Sequence, residues 1–219
     1  MTDYIQLYQQ VHKEDPGYGK SSETLAQYIK PMLADIQPPT LLDYGCGKSR
    51  VAHLLNRYRE MDIYFYDPAI PGYETLPVKS CDFVINTDVM EHIPEHELDS
   101  ILHDISRLSD YAFFSISTRY ASKVLPNGEN AHCTVHEPEW WVDFIKSYFP
   151  VVTVLPGPKP KTANIITWQP KKLTLLRLHL YCQKQALKRK IQTLYKRLKK
   201  RISRYLIKPM QRMLAKKNG

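Results

Sequence analysis

The ten residues Leu41-Leu42-Asp43-Tyr44-Gly45-Cys46-Gly47-Lys48-Ser49-Arg50 constrain this chain more than any other stretch. Thr40 to Tyr44 is a short apolar run holding one carboxylate, the pattern of a buried strand. Gly45 and Gly47 then allow a tight turn with unusual φ/ψ, and Val51, Leu54, Leu55 and Tyr58 follow at helical spacing. Strand, two-glycine turn and helix open a βαβ unit, in which backbone approaches a ligand closely at the carboxyl edge of a sheet.

The downstream features keep the order that such a sheet requires. A second strand, Ile63-Tyr64-Phe65-Tyr66, ends at Asp67-Pro68, about 20 residues after the glycine turn, where an acid can accept hydrogen bonds from ribose hydroxyls. Glu74 to Val78 reads as the vestige of a third strand. Cys81 to Asn86 reads as a fourth strand running into Thr87-Asp88-Val89-Met90-Glu91-His92-Ile93. Leu98, Ile101, Leu102, Ile105 and Leu108 mark a helix before a fifth strand, Tyr111 to Ser117. Glu137-Pro138-Glu139 opens a helix over Trp140 to Phe149, and Val151 to Leu155 with Ala163 to Trp168 form a closing hairpin. At the N-terminus, Tyr4 to Val11 and Ser21 to Leu33 read as helices around an Asp15-to-Gly19 turn, and Pro38-Pro39 separates them from the first strand. The alternation predicts an α/β fold.

Asp43-x-Gly45-x-Gly47 resembles motif I of the class I S-adenosylmethionine-dependent methyltransferases, with Ser49 in place of the third glycine. Asp43 beside the turn would repel a phosphate and suits a ligand carrying a cation, such as a sulfonium amino acid. The stretch from Asp82 to His92 is similar to the corresponding stretch of that family, and the likeness covers about residues 20 to 170. It implies a Rossmann-like, seven-stranded, mostly parallel sheet with helices on both faces and an antiparallel hairpin at one edge. It implies S-adenosylmethionine as cofactor, held by Asp43, Gly45, Gly47, Asp67 and Asp88. The preceding segment would cover the cofactor, with Tyr8 and Tyr18 as lid aromatics or as packing.

Transfer of a methyl group to an alcohol needs a means of removing the hydroxyl proton. Asp88, Glu91 and His92 at i, i+3 and i+4 would share one face of a helix start and, with His132 or His136 from the loop after the fifth strand, would hold a divalent cation such as Mg²⁺. The spacing Asp88-x-x-Glu91-His92 resembles that of metal-dependent O-methyltransferases, including small-RNA 2′-O-methyltransferases and ubiquinone-pathway enzymes, although a glutamate is usual where Asp88 stands. His92, His132 and Glu91 are the catalytic candidates. Against the metal stands the frequency of Leu-Glu-His here in relatives without one. Trp140-Trp141 reads as core with a share of the pocket wall.

Charge is distributed unevenly. Of the 31 Lys and Arg, 17 fall after Pro170, where no acid occurs; the first 170 residues keep 14 basic and all 22 acidic residues, a net −8. The expected division is therefore a methyltransferase domain at 1–170, its cap at 1–39, and a basic amphipathic helical tail at 171–219. Leu173, Leu176, Leu180, Leu187, Ile191, Leu194, Leu198, Ile202 and Tyr205 fall in an arc about 80° wide on a helix ending before Pro209. A coiled-coil seam would suffer cation repulsion. Docking on the acidic body, nucleic-acid phosphates and an anionic membrane surface met through 173–207 remain, and the continuous stripe favours the last. Cys46, Cys81, Cys133 and Cys182 lack zinc or disulfide spacing, and no apolar run reaches membrane-span length, so a cytoplasmic protein, peripheral on the inner membrane face, is expected. The leading function is O-methylation of a saccharide hydroxyl on a membrane-associated or lipid-linked glycan. An RNA methyltransferase and a non-catalytic membrane scaffold are the alternatives.

Overall fold

The computed structural model describes residues 4–203. In chain order it contains α1 (Tyr4–Glu14), α2 (Ala26–Ile36), β1 (Thr40–Tyr44), α3 (Val51–Asn56), β2 (Asp62–Tyr66), β3 (Phe83–Thr87), α4 (Leu98–Leu108), β4 (Ala112–Ser117), α5 (Pro138–Lys146), β5 (Thr153–Val154), β6 (Thr162–Ile166) and α6 (Lys172–Ile202). Short 3₁₀ turns precede α2 and α4.

The strands form one sheet in the order β2-β1-β3-β4-β6-β5, parallel from β2 to β4 and antiparallel at β6 and β5. β1 is followed by β2 on one side and flanked by β3 on the other, so the winding reverses there and leaves a crevice at the carboxyl ends. Period-2 alternation builds two cores. Leu41, Phe83, Ile85 and Phe113 face α2, α3 and the start of α6; Leu42, Val84, Phe114 and Ile116 face α4 and α5. Both faces of β3 and β4 are buried, which is why those segments are mainly apolar without strict alternation.

The expected seven strands become six among the described residues. Glu74 to Val78 forms no strand; the segment between β2 and β3 is turns and coil. Pro68, Pro71 and Pro77 lack the N–H that a ladder needs, and the segment instead folds back, the Asp67 amide donating to the Tyr73 carbonyl at 2.8 Å. The edge left at β2 is only partly covered.

α2 ends where Gln37 takes a left-handed conformation, φ 50°, its amide capping the Leu33 carbonyl at 2.9 Å, before Pro38 and Pro39. The tail helix is present through Ile202; its expected continuation to 207, with Tyr205 and Pro209, lies outside the described residues. Its first turns are part of the body. Lys171 amide and Thr174 hydroxyl cap the Asp35 carboxylate at 3.1 and 2.7 Å, and Leu178 is fully buried. Leu175, Tyr181 and Cys182 pack beside it against α2. No helix among the described residues is long and apolar enough to cross a membrane.

Candidate active site

A cavity of about 940 Å³ opens at the carboxyl edge of the sheet, between the N-terminal segment and the loops after β1, β2, β3 and β4. That is enough for a nucleoside cofactor together with an acceptor.

Its floor is the two-glycine turn. Gly45 has φ +80°, and a Cβ there would stand 2.4 Å from Val89 Cγ2; Gly47 has φ +52° and lies against the backbone of Gly19. The first glycine thus serves both conformation and close packing on the loop after β3. Asp67 closes β2 as expected and is tied to the turn, its Oδ2 accepting from the Gly47 amide and its Oδ1 from the Ala69 amide, both at 2.8 Å. Each oxygen retains a lone pair for a further donor. Burial pushes its carboxyl pKa up. Asp43 is buried beneath the turn with Oδ2 unpartnered, and burial, then the charge of Asp67, pushes its pKa up to about 8. A buried carboxylate without a donor is costly, and an incoming cation would relieve it.

On the other side of the cavity Glu91, His92 and His132 converge, with one ligand atom from each within 4.8 Å of the others. Glu91 is fully buried; Oε1 accepts from the Ser117 amide at 2.9 Å, Oε2 has no partner, and burial followed by the charge of Asp88 raises its pKa to about 8. His92 Nδ1 faces the Ala131 carbonyl at 2.8 Å and His132 Nδ1 faces the Arg119 carbonyl at 2.6 Å. A carbonyl only accepts, so both Nδ1 atoms carry the proton and both Nε2 atoms keep their lone pairs. Burial holds His92 down at about 3. Asn130 sets His132 in place: its Oδ1 accepts from the His132 and Ala121 amides and its amide group donates to the Ala121 carbonyl, within a turn closed at Gly128 (φ +87°).

Asp88 does not join this group. It sits before the single 3₁₀ turn Met90–His92 with φ +56°, so the expected shared helix face never forms, and its Oδ2 accepts from the Ser21 hydroxyl. His136 is also elsewhere, 2.9 Å from Glu95 and stacked on Trp140. Neither Trp140 nor Trp141 lines the cavity; Trp141 is core and Trp140 stacks between His136 and Phe144.

The family of the chain follows from comparison with known proteins. A family model described as "Methyltransferase domain" matches residues 19–150, more than half of the chain. The chain belongs to that family. This methyltransferase domain shares its fold with the mitomycin 7-O-methyltransferase MmcR (TM-score 0.53, 13% identity, covering 75% of this chain and 60% of that one). Two Burkholderia thailandensis proteins also align: an O-methyltransferase family protein (TM-score 0.47, 10% identity, 69% of this chain and 58% of that one) and a 1,6-didemethyltoxoflavin-N1-methyltransferase with bound 1,6-didemethyltoxoflavin and S-adenosylhomocysteine (TM-score 0.47, 15% identity, 74% and 86%). The chain thus spans under two thirds of the length of two of them. No curated protein matches the sequence.

The N-terminal segment roofs one side of the cavity of the methyltransferase domain through contacts that the motifs do not specify. Tyr8 donates to the Ala131 carbonyl at 2.6 Å and stands 3.0 Å from His92 Nδ1, Lys48 donates to the His12 carbonyl, and Gly19 (φ +76°) lies against His12 and the turn at Lys48. Tyr8 and Tyr18 both line the cavity and pack, joined with Val11, Leu125 and Ala131 in a small cluster of their own.

Proposed function

We propose that this chain transfers the methyl group of S-adenosylmethionine to a hydroxyl oxygen, and that the acceptor is a saccharide hydroxyl on a membrane-associated or lipid-linked glycan. The observation that carries the oxygen acceptor is the Glu91–His92–His132 group facing the glycine turn across one cavity. The turn and Asp67 cradle the adenosine and its ribose, and the buried, unpartnered Asp43 answers the positive charge of the amino-acid portion.

Methyl transfer forms a bond from an acceptor oxygen lone pair to the methyl carbon as the carbon–sulfur bond breaks onto sulfur, leaving neutral S-adenosylhomocysteine. The hydroxyl proton must then leave. His132 Nε2, with its proton fixed on Nδ1, is oriented to take it, while His92 is held neutral. As an alternative to that proton transfer, the same three residues would fit a divalent cation, with His132 Nε2 then a ligand and not a base: an unpartnered buried carboxylate oxygen and two Nε2 lone pairs, each imidazole oriented through Nδ1. With Asp88 outside, the donors are two nitrogens and one carboxylate, a set better suited to Mn²⁺ or another transition metal than to Mg²⁺. Such a cation would lower the acceptor hydroxyl's pKa. The membrane part of the reading is supported by the exposed leucines and lysines of α6.

The test is calorimetric titration of S-adenosylhomocysteine, then of Mn²⁺ and Mg²⁺. Asp67→Ala removes hydrogen bonds to a charged group and is expected to weaken S-adenosylhomocysteine by about 10- to 150-fold. His132→Ala is expected to leave that affinity unchanged and to weaken Mn²⁺. Wild type that does not bind S-adenosylhomocysteine would overturn the enzyme reading.

A further inference from the structure

Helix α6 carries two apolar faces that point in opposite directions. Leu175, Leu178, Tyr181 and Cys182 face the body. At 100° per residue, Leu176, Leu180, Leu187, Ile191, Leu194 and Leu198 gather about 180° from Leu178. Each of these six is 55–63% exposed. The described body cannot cover them, because it already occupies the other side of the helix.

The helix also has a definite course. Its first turn is bonded to Asp35 near the end of α2, Tyr181 meets Tyr28 near the start of α2, and Arg189 donates to the Pro158 carbonyl. Helix α6 therefore runs antiparallel to α2, towards the sheet edge where the cavity opens. Tyr28 hydroxyl and Cys182 thiol both donate to the Pro156 carbonyl, at 2.8 and 3.2 Å, so the loop 156–161 is held directly on the helix. Lys159 and Pro160 of that loop line the cavity. Beyond Arg189 the helix continues for 13 residues, about 20 Å, exposed at every position from 190 to 200.

Charge selects the occupant of the outer face. Lys172, Lys190 and Arg197 fall on one flank of the stripe and Arg177, Lys184, Lys188 and Lys199 on the other, roughly 50–110° from its centre. No acid occurs between Lys171 and Gly219. A second copy of α6 would set like charges along both flanks, whereas an anionic leaflet accepts the leucines and the cations together. Arg119, after β4, and Lys159, before the neighbouring β6, also line the cavity and form no ion pair among the described residues.

We infer that α6 is a bracket: its outer face lies on an anionic phospholipid leaflet while its inner face, through Arg189 and the Pro156–Lys161 loop, holds the cavity mouth beside the headgroups. The acceptor is then a hydroxyl on the phosphate-bearing headgroup of a membrane-resident amphiphile, with Arg119 and Lys159 meeting the phosphate. The assignment of the acceptor rests on the methyl transfer proposed above; the bracket does not.

The experiment uses the full chain with vesicles of phosphatidylcholine, alone or mixed with phosphatidylglycerol. Wild type is expected to float with the mixed vesicles only. The double variant Leu187→Glu/Leu194→Glu is expected to lose at least about tenfold in apparent affinity while binding S-adenosylhomocysteine as wild type does, which shows that the body is folded. Amide exchange at Gly157, Lys159 and Lys161, the N–H groups of that loop, is expected to slow on vesicle binding in wild type, and Arg189→Ala is expected to keep vesicle binding but lose that protection. Vesicle binding without any change in 156–161 would reduce α6 to a tether and overturn the bracket. Salt-sensitive binding of a single-stranded RNA oligonucleotide, with no flotation, would overturn the membrane as partner. Vesicle binding by a wild type that does not bind S-adenosylhomocysteine would remove the methyl acceptor and leave the bracket standing.

Discussion

Asp43 shows how one buried side chain ties cofactor binding to protons. Its carboxyl is raised from the ordinary range near 4 to about 8, so the folded chain without cofactor prefers it neutral. A group raised on folding contributes stability that is complete below its unfolded pKa and is lost as pH rises through its folded one. Through Asp43, then, the cofactor-free protein should lose stability between about pH 4 and pH 8. A cation bound nearby reverses the preference, ionises the carboxyl and expels its proton. Titration of S-adenosylhomocysteine at pH 7, in buffers of different ionisation enthalpy, should show release of close to one proton in wild type and correspondingly less in Asp43→Asn. The variant should also show a flatter dependence of melting temperature on pH. Equal proton release in both proteins would mean that Asp43 does not answer the ligand's charge. That acid could be found from its place in a five-residue strand before two glycines. Its unpartnered Oδ2 could not, because a missing donor is a property of the packed interior.

Among the elements, strands were the most legible, because burial on both faces writes short, mainly apolar runs. β1, β3 and β4 lie where such runs stand. The segment between β2 and β3 was misread since a few apolar residues resemble a strand, whereas its prolines decide that it cannot pair. Helix α6 was half legible. From Leu173 to Cys182 seven of ten positions are apolar, so a helical wheel finds a stripe readily but cannot tell which of two faces is inside. Packing against α2 chose the face of Leu178. The two faces should therefore respond differently to truncation. Leu178→Ala empties a fully buried site and should cost about 2–5 kcal/mol in denaturant unfolding, whereas Leu187→Ala on the outer face should stay within about 0.5 kcal/mol. Comparable losses at both positions would mean that the outer face is also covered by protein.

At the scale of the whole molecule, the site is assembled from segments that have no local reason to meet. Gly45 and Gly47 come from the first third of the chain, Glu91 and His92 from its middle, His132 from a loop stapled by Asn130, and Tyr8 from a helix laid over them all. Motif spacing exposes the first two groups because their backbone geometry is local. It offers His132 and Tyr8 only as candidates, because His132 is set by the Asn130 turn and by Arg119, and Tyr8 by a contact across 123 residues. The Tyr8 hydroxyl joins the roof to the His92 side of the cavity through the Ala131 carbonyl and His92, as Lys48 joins it to the glycine turn through the His12 carbonyl. Helix α1 roofs one side of the cavity, and regions that open locally are those held by few contacts. Tyr8→Phe removes the bond to the Ala131 carbonyl, worth a net of about 0.5–1.5 kcal/mol, and the contact with His92 Nδ1, without changing the ring. Amides of α1 should then exchange about 2- to 13-fold faster, while those of β3 and β4 remain as in wild type. If opening of α1 admits the cofactor, S-adenosylhomocysteine should also associate faster with the variant. Faster exchange throughout the sheet would instead mean that Tyr8 holds the whole fold together, and that the roof has no independent motion.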